Sequence, residues 1–319
     1  MKKVKKGIAV LFAAMIVGTL MAPAMAAPAQ DALGEGGMAE TVHSDGVIFR
    51  TFVGNASANN DAQDEEKTKE ALKQLGLDGR AVENMDAEAL AELAACPALS
   101  SAIAYYQISR TGKGQIVEEG AALAAAERAA NAGSPLFGSK FGGSQYVKVV
   151  VISGKTAPVE GQNAYLIHGT FTWLTEPKFG GNEFFGIGSA NCTFASEDAS
   201  GYVSWRHKKY QNDGTVISDA VESPPQEPKL ETSKAGDAAI GYEFSLPVTR
   251  YAVTTGRKTD EYSQWFGYIS AKGVIRSLQE EHFYNSATYL HQSMLLAPPM
   301  MFSPPKAHAA LSASVQQSK

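Results

Sequence analysis

Apolar and polar positions change their period along this chain, and the changes mark out its elements. From Thr68 to Leu75 apolar residues recur at helical spacing, and Gly76 stops the run. The acidic stretch Asp61-Ala-Gln-Asp-Glu-Glu66 precedes it. It lacks the Asp-x-Asp-x-Asp-Gly spacing that wraps a calcium ion and suits a helix's first turn, where carboxylates complement the dipole. A second helix is expected over residues 87 to 95, capped by Asp86 and ended by Pro97, with Leu90 and Leu93 as its apolar stripe. The period then shortens. Ala102 to Ile108 reads as a strand, Thr111-Gly-Lys-Gly114 as a turn and Gln115 to Val117 as the returning strand. A third, Ala-rich helix is expected over residues 118 to 131.

After Ser144 nearly every segment favours strand. The runs are 146–152, 163–174, 184–194, 202–210, 239–253, 262–271 and 274–294. In the second, Tyr165, Ile167, Phe171 and Trp173 share one face while His168, Thr170 and Thr172 take the other, the alternation of a half-buried strand. Turn residues such as Asn212-Asp-Gly214 separate the runs. The Pro-containing stretch from Asp219 to Asp237 reads as a long exposed loop. A short strand is allowed around Val47, Phe49 and Val53, and an edge strand around residues 310–315. The expected architecture is α+β: a small helical and hairpin module over 61–135, then a mainly antiparallel β-sandwich over 144–296. An irregular segment, 27–60, precedes them, and a Pro-containing tail, 297–319, follows.

The first 26 residues carry an address. Lys2, Lys3, Lys5 and Lys6 form a basic start, Gly7 to Met21 is uncharged and apolar, and Ala24-Met-Ala26 offers a small-x-small cleavage site. The expectation is a signal peptide, a secreted or cell-envelope protein, and no transmembrane anchor after cleavage. Without those four lysines, 24 basic residues face 33 acidic ones, a balance of −9. Such a chain, with no basic run, is unsuited to nucleic acid.

Chemistry-bearing motifs are sparse. Cys96 and Cys192 allow one disulfide, or two separate buried thiols. Gly186-Ile-Gly-Ser-Ala190 sets Ser189 one residue out of register for a nucleophile elbow. Glu280, Glu281, His282 and His291 are metal-capable, but strict alternation puts the two histidines on opposite faces. No catalytic residue, metal or cofactor is assigned. Tyr202-Val-Ser-Trp-Arg-His-Lys-Lys-Tyr210 places Tyr202, Ser204, Arg206 and Lys208 on one face, with Val203, Trp205, His207 and Lys209 on the other. Neither face reads as core, which indicates an edge strand or a partly exposed surface. Tyr202, Arg206 and Lys208 are the candidate ligand-binding residues, set against the alternative of an edge protected by lysines.

Several segments, taken in order, resemble exported proteins of clostridia-like and bacillus-like Gram-positive bacteria. They are Thr68–Leu77, Asn84–Leu93, Ala104-Tyr-Tyr-Gln-Ile108, Gly169-Thr-Phe-Thr-Trp-Leu-Thr-Glu-Pro177, Gly241–Pro247 and Ala287-Thr-Tyr-Leu-His-Gln292. Those proteins carry no assigned activity, so the resemblance implies export and no site. This chain departs from them after Pro177, where Lys178-Phe-Gly-Gly-Asn-Glu183 replaces an Arg- and Asp-containing stretch. The reading that follows is a secreted, non-enzymatic binding or interaction module with an unknown extracellular ligand or protein partner. The alternatives are a secreted hydrolase of glycan or peptide, using loop carboxylates such as Glu183, Glu197 and Asp198, and a β-pore toxin.

Overall fold

A computed structural model describes residues 37–54, 62–85, 87–109, 113–131, 145–177, 181–189, 192–195, 199–225, 229–232, 238–252, 254–275, 282–293 and 307–318. The leader, Asp86, Glu197, Asp198 and the expected boundary at 136–143 lie outside them. Every strand pairing among the described residues is antiparallel, and the strands form two sheets. The larger holds β1 (Met38–Val42), β2 (Ile48–Val53), β3 (Ala98–Ile108), β4 (Gly114–Val117), β5 (Gln145–Val159), β6 (Gln162–Trp173), β8 (Cys192–Phe194), β9 (Ser200–Tyr210), β10 (Val216–Glu222), β13 (Arg250–Tyr251) and β14 (Lys258–Ile275). Its main path runs β1-β2-β3-β5-β6-β14-β9-β10. The smaller has the order β11-β12-β7-β15-β16, from β7 (Asn182–Ser189), β11 (Lys229–Thr232), β12 (Ala238–Ser245), β15 (His282–Ser293) and β16 (Ala307–Ser318).

The large sheet is covered on both faces, and its sequences say why. In β5, Val147, Val149 and Val151 point into the core shared by the two sheets, with Phe171, Phe185, Ile240 and Tyr289. Val150 and Ile152 point the other way, into a second core roofed by helices. A strand buried twice reads as a continuous apolar run, as Val147 to Ile152 does apart from Lys148. The roof is α1 (Ala62–Gln74), α2 (Gly79–Glu83) and α3 (Ala87–Ala94), with α4 (Glu119–Asn131) against β3 and β5. Leu72, Leu75, Leu90 and Leu93 are among its buried side chains. Helix α1 ends where the sequence indicates: Gly76, at φ 103°, lets Leu77 N–H reach Leu72 O and Gly76 N–H reach Lys73 O. Helices this short are held by the sheet beneath them. No helix among the described residues is long and apolar enough to cross a membrane.

Several expectations need correction. Strands on either side of the expected boundary, β3 and β5, are hydrogen-bonded neighbours over Leu99–Ile108 and Gln145–Gly154, so the helical segment shares its core with the sheet. The face of β6 opposite Trp173 is not open: His168 is fully buried, with Nδ1 at 3.0 Å from Tyr268 OH, because the helices cover that side. The stretch 219–237 is no single loop. It contains the end of β10 and all of β11, edge strands of the large and small sheets respectively. The C-terminal tail contributes a long strand, β16, paired with β15 from His282↔Ser318 to Ser293↔Ala307.

Candidate functional site

Strand β14 spans two environments. Its C-terminal half, from Trp265 onward, is mostly buried, whereas the side chains of Lys258 to Gln264 are half-buried or exposed, with Tyr262 packed against the margin of the inter-sheet core. The change falls at a bulge. Ser263 pairs with Arg206 but Phe266 pairs with Ser204, so β14 carries one extra residue there. Gln264 takes the left-handed conformation, φ 56°, unfavourable for a residue with a side chain. Arg80 holds it. One guanidinium nitrogen donates to Gln264 O at 2.6 Å, the group lies 4.9 Å from the Phe266 ring centre, and its remaining donors bind the Asp78 carboxylate. Trp265 Nε1 donates to Pro247 O at 2.9 Å on the other side. Pinned in this way, the outer halves of β14 and β9 leave the core as an arm, with β10 along one edge and β13 along the other.

The arm is held by charge on both faces. On one, Arg206 makes two hydrogen bonds to Asp219, at 2.6 and 2.8 Å, and Lys208 Nζ lies 3.8 Å from the same carboxylate. Arg206 holds the Asp219 carboxyl below the usual carboxylate range. Farther out, Glu261 accepts from both Tyr210 OH and Lys258. Burial, and then the bond to Glu261, push the Tyr210 hydroxyl up to about 12. On the other face, His207 stacks on Tyr262, with ring centres 4.4 Å apart at 13°. Its Nδ1 lies 2.8 Å from Glu222 on β10, and its Nε2 lies 3.0 Å from Asp260 on β14. Trp205 Nε1 donates to the other Glu222 oxygen at 2.8 Å. Burial lowers the His207 pKa, but bonds to Glu222 and Asp260 outweigh it and the net shift is upward. Both carboxylates shift downward: Glu222 chiefly through its bond to His207, Asp260 because the same imidazole overcomes burial.

Strand β10 closes this edge. All seven of its residues are exposed, Val216, Ile217 and Val221 at 49, 54 and 71%. A register shift between Val216 and Ser218 leaves Ser218–Glu222 as the regular edge. The expectation of an edge at β9 is therefore displaced by one strand. Val203 and Trp205 of β9 belong to the inter-sheet core, and β9 lies between β14 and β10. The three candidate binding residues divide. Arg206 and Lys208 converge on Asp219, whereas Tyr202 turns under α2, donating to Arg80 O at 3.2 Å and packing on Phe266 and Tyr268. The pairing of His207 with Glu222, which the sequence reading missed, follows from the turn at residues 211–215, closed by Gln211 N–H to Thr215 O at 2.8 Å. That turn, with the register shift after Val216, sets His207 opposite Ala220, two residues from Glu222 on the same face of the ladder.

A second polar cluster is sealed inside. Glu183 belongs to strand β7 rather than to a loop and is buried, with both carboxylate oxygens 3.1 Å from Nδ1 of the equally buried His291. Trp173 Nε1 donates to Tyr289 OH at 3.0 Å, and its indole meets the His291 ring edge-on at 5.1 Å and 74°. Burial, and then the nearby Glu183 charge, hold the Tyr289 hydroxyl well above its ordinary value. Glu183 is thereby removed from the acids that a hydrolase could present to solvent. Cys96 and Cys192 are both free and buried, Cys96 in the helix-side core and Cys192 in the inter-sheet core. The sheet stands between them, so the expected option of a disulfide is not realised. Among the described residues no group of three or more His, Cys, Asp or Glu side chains is arranged to hold a metal ion.

No family model and no curated protein matches the chain. Solved structures with partial likeness include Clostridium perfringens delta-toxin, at 8% identity over 55% of this chain and 90% of the toxin, TM-score 0.22. The C-terminal domain of the Streptococcus pyogenes antigen I/II-family protein AspA is 9% identical over 55% of this chain and 54% of that one, TM-score 0.25. A collagen-binding domain from a Staphylococcus aureus adhesin is 9% identical over 52% of this chain and 95% of the domain, TM-score 0.21. Likeness at this level carries no conclusion about function.

Proposed function

We propose that this chain is an exported, non-enzymatic interaction module that takes an extended segment of a protein partner onto the β10 edge. The observation that carries the proposal is the chemistry of that edge. Natural edge strands are blunted by Lys, Pro or inward charges. Val216–Glu222 contains no Lys or Pro, and its two acids are already tied back, Asp219 to Arg206 and Glu222 to His207 and Trp205. The backbone groups on the outer side of Ser218–Glu222 form a template for strand addition, with Val221 as the apolar contact. Arg206 and Lys208 share the single carboxylate of Asp219, which leaves one positive charge in excess beside Val221. The complementary segment carries an apolar and an acidic residue two positions apart, so that both fall on the face shared by Val221, Arg206 and Lys208. Export rests on the basic and apolar start of the sequence.

An array of ten-residue extended peptides, read beside a glycan array, tests the proposal. Peptides with an apolar and an acidic residue two positions apart are expected to bind, and Val221→Lys, a change at an exposed position, to weaken them by roughly ten-fold or more. Binding to glycans alone, or peptide binding that Val221→Lys leaves intact, overturns it.

A further inference from the structure

A histidine with a carboxylate against each ring nitrogen is in a restricted position. Neutral imidazole has one N–H and one lone pair, so it can donate to only one of two carboxylates, and its bare nitrogen then faces the other. Imidazolium donates to both. His207 is placed in this way: Glu222 lies 2.8 Å from Nδ1 and Asp260 lies 3.0 Å from Nε2. Both contacts are hydrogen bonds only while the ring carries its second proton.

The two carboxylates are not equivalent in the fold. Asp260 is on β14, a strand paired on both sides there, with Lys209 opposite it on β9 and Arg250 opposite it on β13. Its second oxygen accepts from Thr259 Oγ1 at 3.0 Å. Glu222 is at the end of the exposed strand, held by Trp205 Nε1 and by His207. Tyr262 covers the ring face, and Ala220 is the neighbour opposite on β10. When the proton leaves to water, Asp260 is fixed by its neighbours, and Glu222, on the exposed strand and left with the Trp205 bond, is the group that moves.

We infer that His207 is a proton-operated latch on the partner-binding edge: charged, it ties β10 through Glu222 to β14 through Asp260, and neutral, it lets the end of β10 loosen. That the edge receives a partner rests on the function proposed above; the latch rests on the geometry of the ring. The direction follows from the bonds. The latch is closed at mildly acidic pH and opens as pH rises through the upward-shifted His207 titration. At strong acid it opens again, when Glu222 and Asp260 are protonated.

Amide hydrogen exchange at Ser218–Glu222, corrected for its intrinsic pH dependence, is the test. Raising pH from about 6 to about 8.5 is expected to increase opening of these amides by roughly ten-fold in the unaltered protein. Asp260→Asn supplies a side chain that can donate to bare Nε2, so a neutral ring keeps both partners. In that variant the edge is expected to stay protected at both pH values. His207→Gln should give opening that does not vary with pH. Equal opening at both pH values in the unaltered protein, or an undiminished pH effect in Asp260→Asn, overturns the latch. Peptide binding at the edge with no pH effect on exchange defeats the latch alone. A pH effect without peptide binding keeps the latch and defeats the binding reading.

Discussion

Trp173 tests the inter-sheet core most directly, because one side chain joins both sheets. It lies on β6 of the large sheet and is 4% exposed. Its indole N–H donates to Tyr289 of the small sheet at 3.0 Å, and its ring packs edge-on against Tyr289 and His291 at centroid distances of 6.1 and 5.1 Å. Trp173→Ala removes a buried ring, which costs about 3–5 kcal/mol in a core that cannot collapse. It also takes the donor from a buried Tyr289 hydroxyl, a loss of about 1–3 kcal/mol where no replacement is found. The two terms overlap, and the ring term alone is a large part of a net stability of about 5–15 kcal/mol. The expected result is a urea midpoint shifted sharply downward, with the unfolding temperature lower by roughly 10 °C or more. Trp173→Phe keeps the ring contacts and loses the donor, and should fall between. His168→Ala is no neutral control, since His168 is buried and bonded to Tyr268; its expected cost is about 1–3 kcal/mol. A Trp173→Ala protein within about 1 kcal/mol of the parent would mean that the sheets do not meet through this ring.

Two further outcomes follow from the arm. Arg80→Ala should cost about 1.5–3 kcal/mol by releasing the carbonyl of the left-handed Gln264, and Arg80→Lys should recover little of it, since an ammonium cannot bind Gln264 and Asp78 as a planar fork does; full recovery by Lys, in chemical denaturation, refutes the pin. For pH dependence, the raised His207 pKa gives stability that is complete below its unfolded value of 6.5 and is lost as pH rises through the folded value, while the lowered Glu222 and Asp260 values give stability lost only in acid. The stability difference between the parent and His207→Gln should therefore be largest near pH ~5–6 and shrink above pH ~8; a difference that grows with pH contradicts it.

Much of the strand content was legible, because half-buried strands alternate and turns carry Gly, Asn, Asp and Pro. The alternation through Tyr165, Ile167, Phe171 and Trp173 named the inward face of β6 correctly. It could not show that the opposite face is also covered. His168, Thr170 and Thr172 read as solvent residues, yet all carry partners or packing under the helical roof, which is brought there by contacts remote in sequence. Strand β3 was misplaced for a related reason. Its hairpin with β4 is local and was visible, while its pairings with β2 and β5 are set by the sheet as a whole.

The site failed to show in the sequence for a sharper reason. Asn212-Asp-Gly214 reads as a turn, but the stretch from Asp219 to Asp237 reads as loop because it holds Pro224, Pro225 and Pro228. In a strand, proline acts at its own position and on the residue before it; it says nothing about Val216–Glu222. Carrying the hairpin through that turn would have brought β10 beside β9; the extra residue between Val216 and Ser218 then sets Trp205 opposite Glu222 and Lys208 opposite Asp219. Asp260, the other half of the His207 bracket, could not have been found in this way. It comes from a strand more than 50 residues away in sequence, at a distance from the bulge that only the extra residue at Gln264 defines. Local turn chemistry therefore accounts for one side of the latch and long-range register for the other, and only a fold that supplies both can place two carboxylates on one imidazole.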